Sequence, residues 1–79
     1  MPKAFVLLNT EIGSEEEVLK TLQNIPGVQG AHLVYGVYDL IAQIHSDDMD
    51  TLKNAIMSKI RQLDKVRSTL TMISLDKEG

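Results

Sequence analysis

Two periods govern where apolar residues fall along this chain. Phe5-Val6-Leu7-Leu8 is a short apolar run bounded by Asn9, Thr10 and Gly13, and it reads as a strand with both faces covered. Beyond it Val18, Leu22 and Ile25 recur at helical spacing, with Leu19 beside them. Ser14 stands where an N-cap belongs, and Glu17 three residues later completes a capping box. Glu15 and Glu16 suit the positive end of a helix dipole, and Pro26-Gly27 stops the helix. Val28 to Tyr35 reads as a second strand ended by Gly36, with Gly36-Val37-Tyr38 as a hairpin connection. From Asp39 to His45 the period drops to two: Leu40, Ala42 and Ile44 share one face, and Asp39, Ile41, Gln43 and His45 the other. Asp47 or Asp48 then caps a second helix whose apolar stripe is Met49, Leu52, Ile56, Ile60 and Leu63. Val66 to Leu75 reads as a fourth strand, and Asp76 to Gly79 as a polar tail.

These blocks repeat. Displaced by 38 positions, Val18, Leu22, Ile25 and Val28 become Ile56, Ile60, Leu63 and Val66, and the same shift carries Ala4 to Ala42 and Val6 to Ile44. Each half is strand, helix, short loop and strand. Two such halves predict an α+β, ferredoxin-like β-α-β-β-α-β domain, a four-stranded antiparallel sheet with both helices on one face. Alternation assigns Val6, Leu8, Leu40, Ala42, Ile44, Leu70 and Met72 to the helix side. Phe5, Leu7, Ile41, Gln43, Thr69, Thr71 and Ile73 go to the bare side. A bare face of that character marks a protein interface. Met49, Met57 and Met72 read as core filling.

Length and composition sharpen this. Seventy-nine residues allow one domain, 1–79 with its core in 4–75. A domain this small is marginal without a staple or a partner. With no cysteine there is neither a disulfide nor a thiolate metal site, and His32 and His45 lie too far apart for ligand spacing. Oligomerisation is the staple that remains. A net charge of -3 argues against a domain that grips phosphate backbones unaided. Lys59, Arg61, Lys65 and Arg67 read as the solvated end of the second helix. No apolar run approaches the roughly 20 residues of a membrane span, and Ala4 to Leu8 is too short for a signal-peptide core, so the chain is expected in the cytoplasm.

Chemistry-bearing motifs are few. The chain has no Gly-rich phosphate loop, zinc spacing or nucleophile elbow. In His45-Ser46-Asp47-Asp48 the carboxylates are helix caps rather than catalysts, and His32 is a structural or interface residue. Tyr35-Gly36-Val37-Tyr38-Asp39 stands out. Glycine lets a backbone turn sharply or approach a ligand. A neighbouring carboxylate suits an ammonium group, and exposed turn amides suit a carboxylate. Together these match the two ends of a free amino acid. The commoner reading of such residues is a plain hairpin whose Asp bonds its own turn.

Gly36-Val37-Tyr38-Asp39-Leu40, running into an alternating strand, resembles the G-x-Y-D-L signature of the Lrp/AsnC (leucine-responsive, feast/famine) regulators. It is similar to their C-terminal ligand-binding domain, called RAM. Pro26-Gly27-Val28 and Val66-Arg67-Ser68-Thr69-Leu70-Thr71 carry the same likeness, which covers Ala4 to Leu75. The resemblance implies a dimeric α+β barrel formed through the sheets and assembly of dimers into an octamer or similar ring. It also implies amino-acid effectors bound between dimers. Carried over by position, the ligand site uses Gly36, Tyr38 and Asp39 of the hairpin and Thr69 and Thr71 of the last strand. The family's helix-turn-helix domain has no counterpart in this sequence, where the first strand begins by position 4. The expected protein is a stand-alone sensor module without catalytic residues, metal or cofactor and without direct nucleic-acid binding. Its partners would be further copies, an amino acid and full-length regulators of the family. Two other readings stay open: an interaction module without ligand, and a small barrel enzyme. The enzyme reading lacks an acid/base pair at a useful spacing, and Glu11 in the first loop would repel phosphate.

Overall fold

A computed structural model of the chain describes residues 3–74, apart from the side chains of residues 55 and 56. The elements follow the predicted order: β1 Lys3–Thr10, α1 Glu15–Gln23, β2 Val28–Leu33 and β3 Leu40–His45. A π-helical segment, Thr51–Ile56, then runs into α2 Met57–Arg61, and β4 is Val66–Ser74. The strands form one sheet in the order β2-β3-β1-β4, every neighbouring pair antiparallel. This is the ferredoxin-like arrangement the repeat predicts.

The repeat extends to the hydrogen bonds. The Val28 amide donates to the Ile25 carbonyl (3.1 Å), and the Ile25 amide to Leu22 (3.1 Å). The positions 38 residues on do the same: Val66 donates to Leu63 (3.1 Å) and Leu63 to Ile60 (3.3 Å). In the first copy Gly27 sits at φ 98°, a conformation its missing Cβ permits after Pro26.

One sheet face is closed by the helices. Ala4, Val6, Leu8, Ala31, Leu40, Ala42 and Ile44 pack with Val18, Leu22, Leu52, Met57 and Ile60 in a single buried cluster. Both helices therefore sit on the side the sequence assigns. Ile56, the remaining member of the second stripe, has its side chain outside the described residues, as do Leu75 and the tail 76–79. Among the described residues no helix is long and apolar enough to cross a membrane.

The last strand corrects the sequence reading. Val6 pairs with Thr71, Leu8 with Thr69 and Ala4 with Ile73, whereas Leu7 pairs with Leu70 and Phe5 with Met72. Directly opposed residues of antiparallel strands point to the same face. Thr69, Thr71 and Ile73 thus lie on the helix side, and Leu70 and Met72 on the bare side, where they are 45% and 48% exposed. Met72 does not fill the core. The cause is that apolar residues occupy both phases of β4, so alternation alone does not choose between them, and a shift of one residue exchanges the faces. Pairing with β1 makes the choice, regular from Ser68 to Ser74 with one irregularity between Asn9 and Thr10 where β4 begins.

Two local expectations also change, and one choice the sequence leaves open is made. Ser14 has φ −103° and ψ 6° and makes no side-chain capping bond, so the Ser14–Glu17 box does not form. An N-cap hydroxyl reaches the first-turn amides from a β-region backbone, which Ser14 lacks. The second helix is capped by Asp48 rather than Asp47: its Oδ1 accepts the Thr51 amide at 2.7 Å and its Oδ2 the Thr51 hydroxyl at 3.2 Å. Finally, β2 stops at Leu33 instead of Tyr35, because the chain has already left the sheet for the β2–β3 connection.

Candidate ligand-binding site

The β2–β3 connection is anchored to β1. The Val34 amide donates to the Asp39 carbonyl (2.9 Å), and the Asp39 amide donates to the Leu8 carbonyl (2.9 Å). The Asp39 carboxylate does not bond its own turn. Its Oδ2 accepts the backbone amide of Thr10, at the end of β1, at 3.0 Å. Asp39 therefore clamps the hairpin to the neighbouring strand, a role that sequence spacing does not reveal because the partner lies 29 residues earlier.

Gly36 has φ 148°, which an L side chain rarely adopts, and a Cβ added there would meet nothing within 4 Å. The demand for glycine is conformational, and the space in front of the turn is open. Around it Tyr35 and Val37 stand almost wholly in solvent, Leu33 and Val34 are exposed, and Tyr38 is half-buried.

The five carried-over residues fall into two groups separated by β1. Leu40 pairs with Leu8 and Leu8 with Thr69, so β1 separates the hairpin strand from Thr69. That separation is two interstrand steps, about 10 Å. Thr71 lies one pair deeper, opposite Val6. Thr69 and Thr71 edge a crevice with Val6, Met57, Ile60 and Arg61 that is too narrow for a water molecule. Gly36, Tyr38 and Asp39 thus form one cluster, and Thr69 and Thr71 a second, on the helix side of β4.

The sequence reading missed two features. A hollow of about 150 Å³ lies between α1 and the turn before β4, lined by Glu17, Val18, Thr21, Leu63, Asp64 and Lys65. It holds none of the expected site residues, and its walls come from segments far apart in the chain. On the bare face, Nε2 of His45 lies 3.0 Å from Nε2 of Gln43, which donates to it when the proton of the neutral ring is on Nδ1. Among the described residues no three His, Asp or Glu side chains gather as a metal site would require.

Comparison with known proteins agrees with this architecture. The model of the Lrp/AsnC ligand binding domain matches residues 3–78. The HTH-type transcriptional regulator PH1916 of Pyrococcus horikoshii is 31% identical over 74 residues, which make up 90% of this chain and 49% of that regulator. The chain thus spans about half the length of the curated relatives it matches. Among solved structures, FFRP-DM1 superposes with a TM-score of 0.89 at 40% identity, covering 95% of this chain and all of that one. The hypothetical protein PHS023 of P. horikoshii does so with a TM-score of 0.90 at 39% identity, covering 98% of this chain and 93% of that one.

Proposed function

The chain belongs to the family of Lrp/AsnC ligand binding domains, and from that premise we propose that it is a regulatory module that binds a free amino acid between copies of itself. A regulatory role follows from its relatives, which are transcriptional regulators. The amino-acid ligand and the assembly are the proposal. The observation that carries it is the hairpin: an open glycine turn whose neighbouring carboxylate, on Asp39, is held in place by the Thr10 amide. In this reading Asp39 receives the ammonium group through its remaining oxygen, and amides near Gly36 receive the carboxylate. Tyr38 walls the side-chain pocket.

The crevice beside Thr69 and Thr71 is too narrow for a water molecule and the Gly36 turn opens to solvent, which supports placing the site between subunits. Pairing would occur through the bare sheet face, where Phe5, Leu7, Ile41, Leu70 and Met72 lie on one phase. Burying those side chains removes apolar surface that a domain of this size leaves in water. Full-length regulators of the family, which carry the same domain, are the other partners in this reading.

The test is a thermal-shift screen over the twenty amino acids, followed by calorimetry on wild type and Asp39→Asn. The amide keeps an acceptor for the Thr10 backbone but loses the charge. A hydrogen bond to a charged group is worth on the order of 2 kcal/mol, so affinity should drop about 30-fold in an otherwise unchanged assembly. No binding by wild type across the screen defeats the proposal. Unchanged affinity in Asp39→Asn moves the site away from the hairpin.

A further inference from the structure

The face proposed for pairing is chemically lopsided. Register and alternation place Lys3, Phe5, Leu7 and Asn9 of β1 on it, together with Gly30 and His32 of β2. Ile41, Gln43 and His45 of β3 follow, with Ser68, Leu70, Met72 and Ser74 of β4. Its β1–β4 side is mostly apolar. On the other side His32, Gln43, His45 and Lys3 form a polar band. His45 is directly opposite Lys3, and Gln43 opposite Gly30. The His32 ring lies back over Gly30, with its Nε2 3.5 Å from where a Cβ of that glycine would stand.

Every titratable group on this face among the described residues is basic. From β1 it is Lys3, from β2 His32 and from β3 His45, while β4 contributes none. Among the described residues, two carboxylates lie just beyond the ends of β3. Asp39 is bonded to the Thr10 amide at the far end of the strand, and exposed Asp47 follows His45 outside the sheet. Imidazole gains or loses its proton between about pH 5 and 8. With both imidazoles neutral, each copy brings one cation, Lys3, to the contact. Protonation of both imidazoles adds two more per copy, with no carboxylate among the described residues of the face to answer them. Stacking two such faces then brings like charges together while removing the water that screens them. The hydrogen bond between Gln43 and His45 survives protonation only if the amide turns its oxygen to the ring.

We propose that His32 and His45 make sheet-to-sheet self-association pH-dependent: neutral imidazoles permit it and protonated ones oppose it. This rests on the sheet-pairing part of the proposed function. By linkage, a proton that binds the separated copies more tightly than the pair weakens the pair as pH falls.

Sedimentation velocity on the full chain, with far-UV circular dichroism at each condition, tests it. Wild type should associate at pH 7.5, and its dissociation constant should rise at least about tenfold at pH 5.5 with the fold intact. His32→Gln/His45→Gln should associate at pH 7.5 and lose most of that dependence. Either single variant should keep part of it. A wild type that stays monomeric at pH 7.5 defeats sheet pairing itself. Association that is present at pH 7.5 and equal at pH 5.5 overturns the pH proposal and leaves sheet pairing standing. Weakening that persists fully in the double variant, or that coincides with unfolding, overturns it as well.

Discussion

At the residue scale, two aspartates do similar work by different routes. Asp39 holds the hairpin to β1 through the Thr10 amide, while Asp48 holds the start of the second helical stretch through Thr51. The Thr51 backbone amide, then its hydroxyl, keep the Asp48 carboxyl below its ordinary value. A carboxyl depressed in the folded state stabilises the fold above its unfolded-state value, and loses that contribution as pH falls through the folded one. Asp48→Ala should therefore lower Tm at pH 7, and its gap from wild type should shrink as pH drops below about 4. Melting curves from pH 7 to pH 3 check this; a gap that is constant with pH would mean the cap acts without its charge. The cap was legible in the sequence as one of two adjacent aspartates. The Asp39 clamp was not, because its partner is a backbone amide, which leaves no trace in residue identity.

At the element scale, strength of pattern decided what was legible. β3 carries the core on one clean phase, and β1, apolar on both, has Val6 and Leu8 on the side the sequence assigns. β4 carries Leu70 and Met72 on one phase, Thr69 and Thr71 on the other, and Ile73 with the threonines. The deciding factor is its pairing with β1, which puts Leu70 beside Leu7 and Thr71 beside Val6. A charge at position 70 distinguishes the two phases. Leu70→Lys should leave a folded protein by circular dichroism yet abolish association in light scattering, since position 70 faces outward. Were Leu70 a core residue, the same substitution would unfold the domain. The second helix shows a related limit. Its apolar stripe gives a helical period, but the i→i−5 bonding of Thr51–Ile56 differs from α-helix by one residue per turn, which a stripe this short does not resolve.

At the scale of the whole molecule, the two faces of the sheet serve different ends. One holds the only hydrophobic cluster described, with both helices. The other carries apolar side chains that no helix among the described residues covers, which is what makes the chain a candidate for assembly. Its charge points away from nucleic acid: net -3, with Lys59, Arg61, Lys65 and Arg67 gathered at the α2–β4 turn beside Asp64. This 79-residue chain alone should show no site-dependent retardation of DNA in a gel shift at about 150 mM salt, where weak phosphate contacts are largely screened. Salt-resistant, sequence-dependent retardation would contradict that expectation.

By itself the sequence determined the number and order of the elements, the two-fold repeat and the core of β1, β3 and both helices. It also marked the glycine turn beside Asp39 as the place to look for a ligand. Those features depend on local period and on residues whose backbone preferences act within a few positions. Only the tertiary structure decided which phase of β4 faces the helices, what the Asp39 carboxylate bonds, and that His32, His45 and Lys3 share a face free of carboxylates among the described residues. Each of these depends on register between strands distant in the chain. A one-residue shift in register leaves local propensity unchanged and moves every side chain of a strand to the opposite face.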